Sequence, residues 1–213
     1  MRALIRLPEP DILNNRHQQW LNALIASGKN RPDPTKYGNP NIRTQLNTIS
    51  FHKCFYCESK LKDKPSEIDH HIEVSINLSL SYIWENLYLA CDNCNGKLNH
   101  IAIPITEALD PILNTDNEIQ DNITFNDEVI TAVGGSDIGF KTIQKYRLDS
   151  ILLDKRRITQ LKYFYKFLDE IRLKQIAENG RALNQNEIDA IKHFSQLDQP
   201  YSLMFKIIIG NII

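Results

Sequence analysis

Cys54-Phe55-Tyr56-Cys57 and Cys91-Asp92-Asn93-Cys94 use all four cysteines of this 213-residue chain. Two residues between thiolates let each pair bite one ion, and two such pairs complete a tetrahedral sphere of four sulfurs, which suits zinc. A zinc closed in this way has no position left for substrate, so any chemistry must sit beside it. Between the pairs lie Ile68-Asp69-His70-His71-Ile72 and Trp84-Glu85-Asn86-Leu87, the most polar histidine cluster of the chain. The competing readings of the cysteines are two disulfides or a redox-active pair.

Several elements must hold these residues in place. A helix is predicted over 11–27, with Asp11 as N-cap, a face of Ile12, Leu13, Trp20, Leu21, Leu24 and Ile25, and Gly28 as its stop. A loop over Lys29–Pro40 leads to a second helix over 41–50, striped by Ile42, Leu46 and Ile49. The Cys-His region, 51–104, is short of apolar residues and needs its metal to fold. Two short strands are expected in it, at Glu67–Glu73 and Leu87–Ala90, with a helix beginning near Cys91 or Cys94. Trp84 and Leu87 read as core.

Beyond it, Ile123–Phe125 and Val129–Val133 form a hairpin turned at Asn126-Asp127. The remainder reads as helical. Helices start at Asp137 or Thr142 and at Asp149, and a stripe runs through Ile158, Leu161, Tyr165, Leu168 and Ile171. Asn184 with Glu187 gives a capping-box start, and a last helix begins at Pro200. The expected organisation is a helical segment over 1–50, the compact core over 51–104, and a hairpin plus helical region over 105–213. The fold class is α+β, with a small zinc-braced core embedded in a mainly α-helical chain.

A hydrophobic fraction of 42% and a charged fraction of 24% are ordinary for a globular protein. No basic-plus-apolar leader opens the sequence, and the apolar run Leu203 to Ile213 falls short of the ~20 residues that span a bilayer. A cytoplasmic protein with reduced thiols and no membrane association is expected. The net charge of −1 hides segregation. Residues 1–50 carry an excess of +4, residues 98–140 carry −8 with no Lys or Arg, and residues 141–174 carry +6. Such blocks are compatible with a phosphate-binding cleft and equally with solvated helix faces. Arg156, Arg157, Lys162 and Lys166 are candidates for steering nucleic acid on the same terms.

The order Cys54, Cys57, Asp69-His70, Asn86-Leu87, Cys91, Cys94-Asn95 resembles the HNH endonuclease family over residues 51 to about 100. The resemblance implies a ββα-metal fold braced by a four-cysteine Zn²⁺. It further implies a nuclease in which His70 activates water, Asp69 and Asn95 offer oxygen to a catalytic Mg²⁺ or Mn²⁺, and Asn86 hydrogen-bonds across the loop to orient the base. The chemistry is consistent with those roles. A neutral imidazole can take a proton from water near neutral pH, and oxygen ligands favour hard divalent ions.

His71 competes with His70. Strand side chains alternate, so Asp69 and His71 would share a face and form the metal pair, whereas the family register puts the base directly after Asp. Glu67 and Glu73 read as solvated strand residues, the latter standing where many relatives have proline. Asn99, one helical turn beyond Asn95, is a further candidate for the metal site. His52 and His100 read as surface or supporting residues.

More loosely, the chain resembles the HNH subunits of Septu-type and retron-associated anti-phage systems. The carrying segments are Asn41-Ile42-Arg43, Cys54-Phe-Tyr-Cys57-Glu58-Ser59, Cys94-Asn95-Gly96-Lys97, and Thr142-Ile143 followed by Leu148 and Leu152. That resemblance implies an ABC-type ATPase as partner, and Leu203 to Ile213 either as a docking face for it or as core; the expected cut is at a DNA phosphodiester. The alternatives are a stand-alone restriction-type HNH nuclease and a non-catalytic zinc module that binds nucleic acid or protein.

Overall fold

A computed structural model describes residues 1–61 and 66–213. α1 (Asp11–Ala26) follows Pro10, and α2 (Pro34–Tyr37) is a single turn in the stretch expected to be loop. α3 (Pro40–Ser50) buries Ile42, Leu46 and Ile49 as its spacing predicts. Asn39 caps α3 by accepting from Asn41 N, and Pro40 at the first position needs no partner for its missing N–H. Asp11 is the first residue inside α1 and not its cap, because Pro10 occupies that position in an extended conformation.

The centre of the molecule is a two-stranded antiparallel sheet, β1 (Glu67–His70) with β2 (Leu87–Ala90), followed by the one-turn helix α4 (Asp92–Asn95). Asp69 pairs with Tyr88 and His70 with Leu87. The first strand stops three residues earlier than expected. Pairing continues through His71 N to Asn86 O at 2.9 Å, after which the Asn86 side chain takes over both polar groups of Ile72. α5 (Asp116–Asn122) leads into the hairpin β3 (Ile123–Asn126) and β4 (Val129–Ala132), turned at Asp127 in the left-handed region (φ 49°). Asp tolerates that conformation better than most side chains.

Four helices complete the chain: α6 (Asp137–Lys145), α7 (Ile151–Ala177), α8 (Gln185–His193) and α9 (Ser202–Gly210). The predicted capping box at Asn184 and Glu187 is present. Tyr201 adopts left-handed backbone (φ 55°), so α9 starts at Ser202 instead of Pro200. No helix among the described residues is long and apolar enough to cross a membrane.

One core joins α1, α3, the cysteine region and the α6–α7 junction, with Leu13, Leu46, Trp84, Leu87, Tyr146 and Leu148 all buried. A second gathers Phe164, Ile191, Met204 and Phe205 from α7, α8 and α9. Leu203, Met204, Phe205, Ile208 and Ile209 are buried in the core, whereas Ile212 and Ile213 at the end of the C-terminal apolar run are exposed. The α7 stripe passes through Leu153, Leu161, Phe164 and Ile171, while Tyr165 is exposed and bonds Asp127 at 2.7 Å. Ile25 also lies outside the buried face of its helix.

Arg157 departs furthest from its expected role. It is buried and donates to Leu148 O (2.7 Å), Glu128 O (3.2 Å) and Asp154 Oδ1 (3.0 Å). It ties the hairpin turn to α7 and cannot steer phosphate.

Candidate active site and metal centre

The first cysteine pair sits on a tight turn between Lys53 and Lys60, whose backbones form an isolated antiparallel bridge. Cys54 N donates to Ser59 O and Phe55 N to Leu89 O, each at 2.9 Å, so the turn is stitched both to itself and to β2. Glu58, next in the turn, has φ 63°. The second pair frames α4, with Cys91 at its N-cap. All four sulfurs are buried and lie within 4.8 Å of one another, and Cys57 Sγ is 3.6 Å from Cys91 Sγ.

Four sulfurs at about 2.3 Å from one tetrahedral ion would stand about 3.8 Å apart, so the arrangement fits a four-thiolate metal centre. Burial pushes the Cys54 and Cys94 thiols well above their ordinary pKa. Ionising four such neighbours together requires a cation among them. Neither His52 nor His100 joins the cluster.

Beside this centre opens a cavity of about 930 Å³. Its floor is the consecutive run Ser66 to His70, since β1 pairs on one side only and presents its free edge to the space. Asn95 lines it too, as do Arg31, Tyr37 and Arg43 from the N-terminal segment. The arrangement brings Asp69, His70 and Asn95 to one cleft.

His70 is half-buried. Its Nε2 lies 2.9 Å from Ser81 O, and its ring meets that of Tyr37 edge-on with centroids 4.8 Å apart. Burial lowers its pKa below 6.5, against opposing pulls from the Ser81 carbonyl and Asp69. Asp69 Oδ2 accepts from Tyr56 Oη at 2.6 Å and also from Lys97 Nζ, which donates in addition to His70 O at 2.7 Å. Asn95 donates through Nδ2 to Glu67, leaving its amide oxygen free for a cation.

Asn86 is buried and does not touch the imidazole. Its Oδ1 accepts from Ile72 N at 2.7 Å, and its Nδ2 donates to Ile72 O (3.0 Å) and Leu80 O (3.3 Å). It thereby clamps the segment whose next residue, Ser81, holds His70.

His71 is absent from the cleft wall. It is buried, its ring stacked on Tyr88 at 4.2 Å, with Nε2 3.0 Å from Asp110 Oδ2 and Nδ1 3.3 Å from Tyr56 Oη. The alternation argument is correct about faces, since Asp69 and His71 both reach Tyr56. It misjudges the site, because the cleft runs along the strand edge and admits residues from both faces. Asn99 likewise lies elsewhere, exposed and accepting from Ala102 N at 3.0 Å.

Glu67 and Glu73 are not merely solvated. Glu67 holds Asn95, and Glu73 lines the cleft with Oε1 3.3 Å from the buried Lys145 Nζ. Sequence reasoning assigned no role to Tyr56, Lys97 or Lys145. Tyr56 and Lys97 lie inside segments already singled out, but neither has a periodicity or spacing that reveals its contact.

Among the described residues, the four cysteines are the one cluster of three or more Cys, His, Asp or Glu ligand atoms. The cleft offers a hard cation the Asp69 carboxylate and the Asn95 amide oxygen, a sparse oxygen set. Mg²⁺-class ions, which keep several waters, suit such a set.

Residues 54–100, which span both cysteine pairs, β1, β2 and α4, match the family model described as HNH endonuclease. The chain is also similar to the Septu protein PtuB of Bacillus thuringiensis, at 36% identity over 99 residues. The match covers 46% of this chain and 37% of that relative, so the chain spans well under two thirds of the relative's length.

Proposed function

We propose that this protein is a metal-dependent endonuclease that hydrolyses phosphodiester bonds of DNA, with His70 as general base. The observation that carries the reading is the shared cleft. There His70, its Nε2 occupied by Ser81 O, faces the same space as Asp69 and Asn95. A carbonyl oxygen only accepts, so Nε2 keeps its hydrogen and the Nδ1 lone pair is available to take a proton from water. Low pKa keeps that imidazole neutral at physiological pH.

Asp69 and Asn95 are the oxygen ligands for Mg²⁺ or Mn²⁺, which when bound relieves charge on the phosphate and the leaving oxygen. Asn86 orders the loop behind the base, and the Cys54, Cys57, Cys91 and Cys94 centre holds structural Zn²⁺. Arg31 and Arg43 face the incoming backbone, where positive charge is needed but base-specific contact is not.

The similarity to a Septu protein supports a cytoplasmic role in anti-phage defence with an ABC-type ATPase as partner. Plasmid nicking with the purified protein tests the chemistry. Cleavage should require added Mg²⁺ or Mn²⁺ and vanish in His70→Ala while zinc stays at one per chain. Undiminished cutting by His70→Ala would overturn the assignment. Co-purification with an ABC-type ATPase, should a neighbouring gene encode one, tests the partnership.

A further inference from the structure

We propose that Tyr56, inside the first cysteine pair, is a positioning residue for Asp69 that couples the order of the metal knuckle to the cleft. The proposal rests on the reading of Asp69 as an oxygen ligand of the catalytic ion. Tyr56 is fully buried between Cys54 and Cys57, two of the four clustered sulfurs. Its ring is clamped by Tyr146, with centroids 4.1 Å apart and planes 14° apart, and by Tyr88, at 5.9 Å and 7°. Such a ring cannot swing, so its hydroxyl marks a fixed point in the core.

That hydroxyl donates to Asp69 Oδ2 at 2.6 Å. Behind it, His71 Nδ1 stands 3.3 Å from Tyr56 Oη, and His71 Nε2 lies 3.0 Å from Asp110 Oδ2. Asp110 is itself held by Tyr88 Oη (2.9 Å) and Ile112 N (2.7 Å). Close polar contacts therefore lead from Asp110 in the loop before α5 through His71 and Tyr56 to Asp69, with the one Tyr56 proton given to Asp69.

The consequence lies in which carboxylate oxygen is engaged. Tyr56 and Lys97 both bind Oδ2, and among the described residues Oδ1 takes no hydrogen bond. Pinning one oxygen fixes the direction of the other, as supporting hydrogen bonds do for metal-binding carboxylates. A residue needed only to fill this space would be served by phenylalanine, because a buried hydroxyl is costly unless bonded. Here the bond goes to Asp69, a β1 carboxylate that lines the cleft.

Tyr56→Phe keeps the ring and its stacking and removes the donor. In the zinc-loaded protein without substrate, Mn²⁺ binding measured by electron paramagnetic resonance should weaken by about 10- to 100-fold. The Mg²⁺ concentration for half-maximal cleavage should rise in parallel, while zinc content and DNA binding without added Mg²⁺ or Mn²⁺ stay unchanged. Asp110→Asn loosens the same chain from its far end and should shift Mn²⁺ binding in the same direction by a smaller factor. It serves as the test should Tyr56→Phe lose zinc.

Unaltered Mn²⁺ binding in a zinc-loaded Tyr56→Phe, or in Asp110→Asn if that variant alone retains zinc, overturns the coupling. A melting-temperature change without that shift does the same. Asp69→Asn separates the two ideas. If it binds Mn²⁺ and cleaves like the wild type, the reading of Asp69 fails. If it loses both while Tyr56→Phe keeps both, only the coupling fails.

Discussion

The Nε2 of His70 lies 2.9 Å from the main-chain oxygen of Ser81. This single contact decides which nitrogen of the imidazole is free, and it does so through backbone. Ser81→Ala should therefore leave cleavage within about two-fold of wild type, since the side chain only caps Leu78 O. His70→Ala should lower the rate by about 10²–10⁴-fold, the usual worth of a general base. Single-turnover cleavage of a labelled duplex measures both.

His71→Ala should behave in the opposite way to His70→Ala. The residue is buried in a stack with Tyr88 and paired with Asp110, so its removal strands a buried carboxylate. A loss of about 1–3 kcal/mol of stability is expected. Denaturant melts would register it in a protein that still cuts.

The pH profile follows from the burial of His70. Desolvation disfavours the charged imidazole, with Lys97 acting in the same sense and Asp69 and the Ser81 carbonyl against it. The base is active when neutral, so the rate should rise with pH through a midpoint below 6.5 and be level across neutrality. Stability carries the same sign. The unfolded chain protonates first as pH falls below 6.5, so this residue's contribution is lost between that pH and its folded pKa. A pH series of kcat/KM at saturating Mg²⁺ gives the midpoint, and a midpoint above 6.5 would contradict the burial argument.

Chelation should unfold the centre of the molecule. Structural zinc binding is worth about 10–16 kcal/mol in small sites, comparable with the whole stability of a domain at about 5–15 kcal/mol. Four sulfurs buried within 4.8 Å of one another have no comparable arrangement without an ion. Near-UV circular dichroism should collapse as zinc is released, and Cys94→Ser should reproduce much of that loss.

The two arginines of the cleft should separate by salt. Arg31 is exposed, and Arg31→Ala should lower the slope of log affinity against log salt by about one. Arg43 donates to Ser66 O at 2.8 Å and Ser66 Oγ at 2.9 Å, beside β1. Arg43→Ala should weaken binding further, because it also releases the approach to the strand. Fluorescence anisotropy over a salt series distinguishes them.

What the sequence made legible is what depends on near neighbours. The α3 stripe, the Asn184 capping box, the hairpin turn at Asp127 and the limits of β2 all follow from spacings of a few residues. The cysteine pairs are legible because coordination chemistry imposes its own spacing. The site's remaining logic comes from long separations. Asp110 claims His71 from 39 positions away, and Lys97 reaches back 28 positions to Asp69. Arg157 looked like a surface cation because nothing in its own helix shows that Glu128 and Leu148 carbonyls await it. Strand alternation could not choose between His70 and His71, since it describes faces and the cleft is built on an edge.

The turn that carries the first cysteine pair has a further dependence. Lys53 Nζ donates to the carbonyls of Leu197 and Gln199, and Glu58 accepts from Ser202 Oγ and Leu203 N. These buried charges flank Cys54 and Cys57, yet their partners lie some 145 positions further along. During translation, the knuckle emerges well before Leu197, Gln199, Ser202 and Leu203, and until they follow, Lys53 and Glu58 have only each other and the amino terminus as partners among the described residues. The metal turn beside the cleft thus depends on contacts from residues 197–203, and a polypeptide stopped before Leu197 lacks the contacts that seat it.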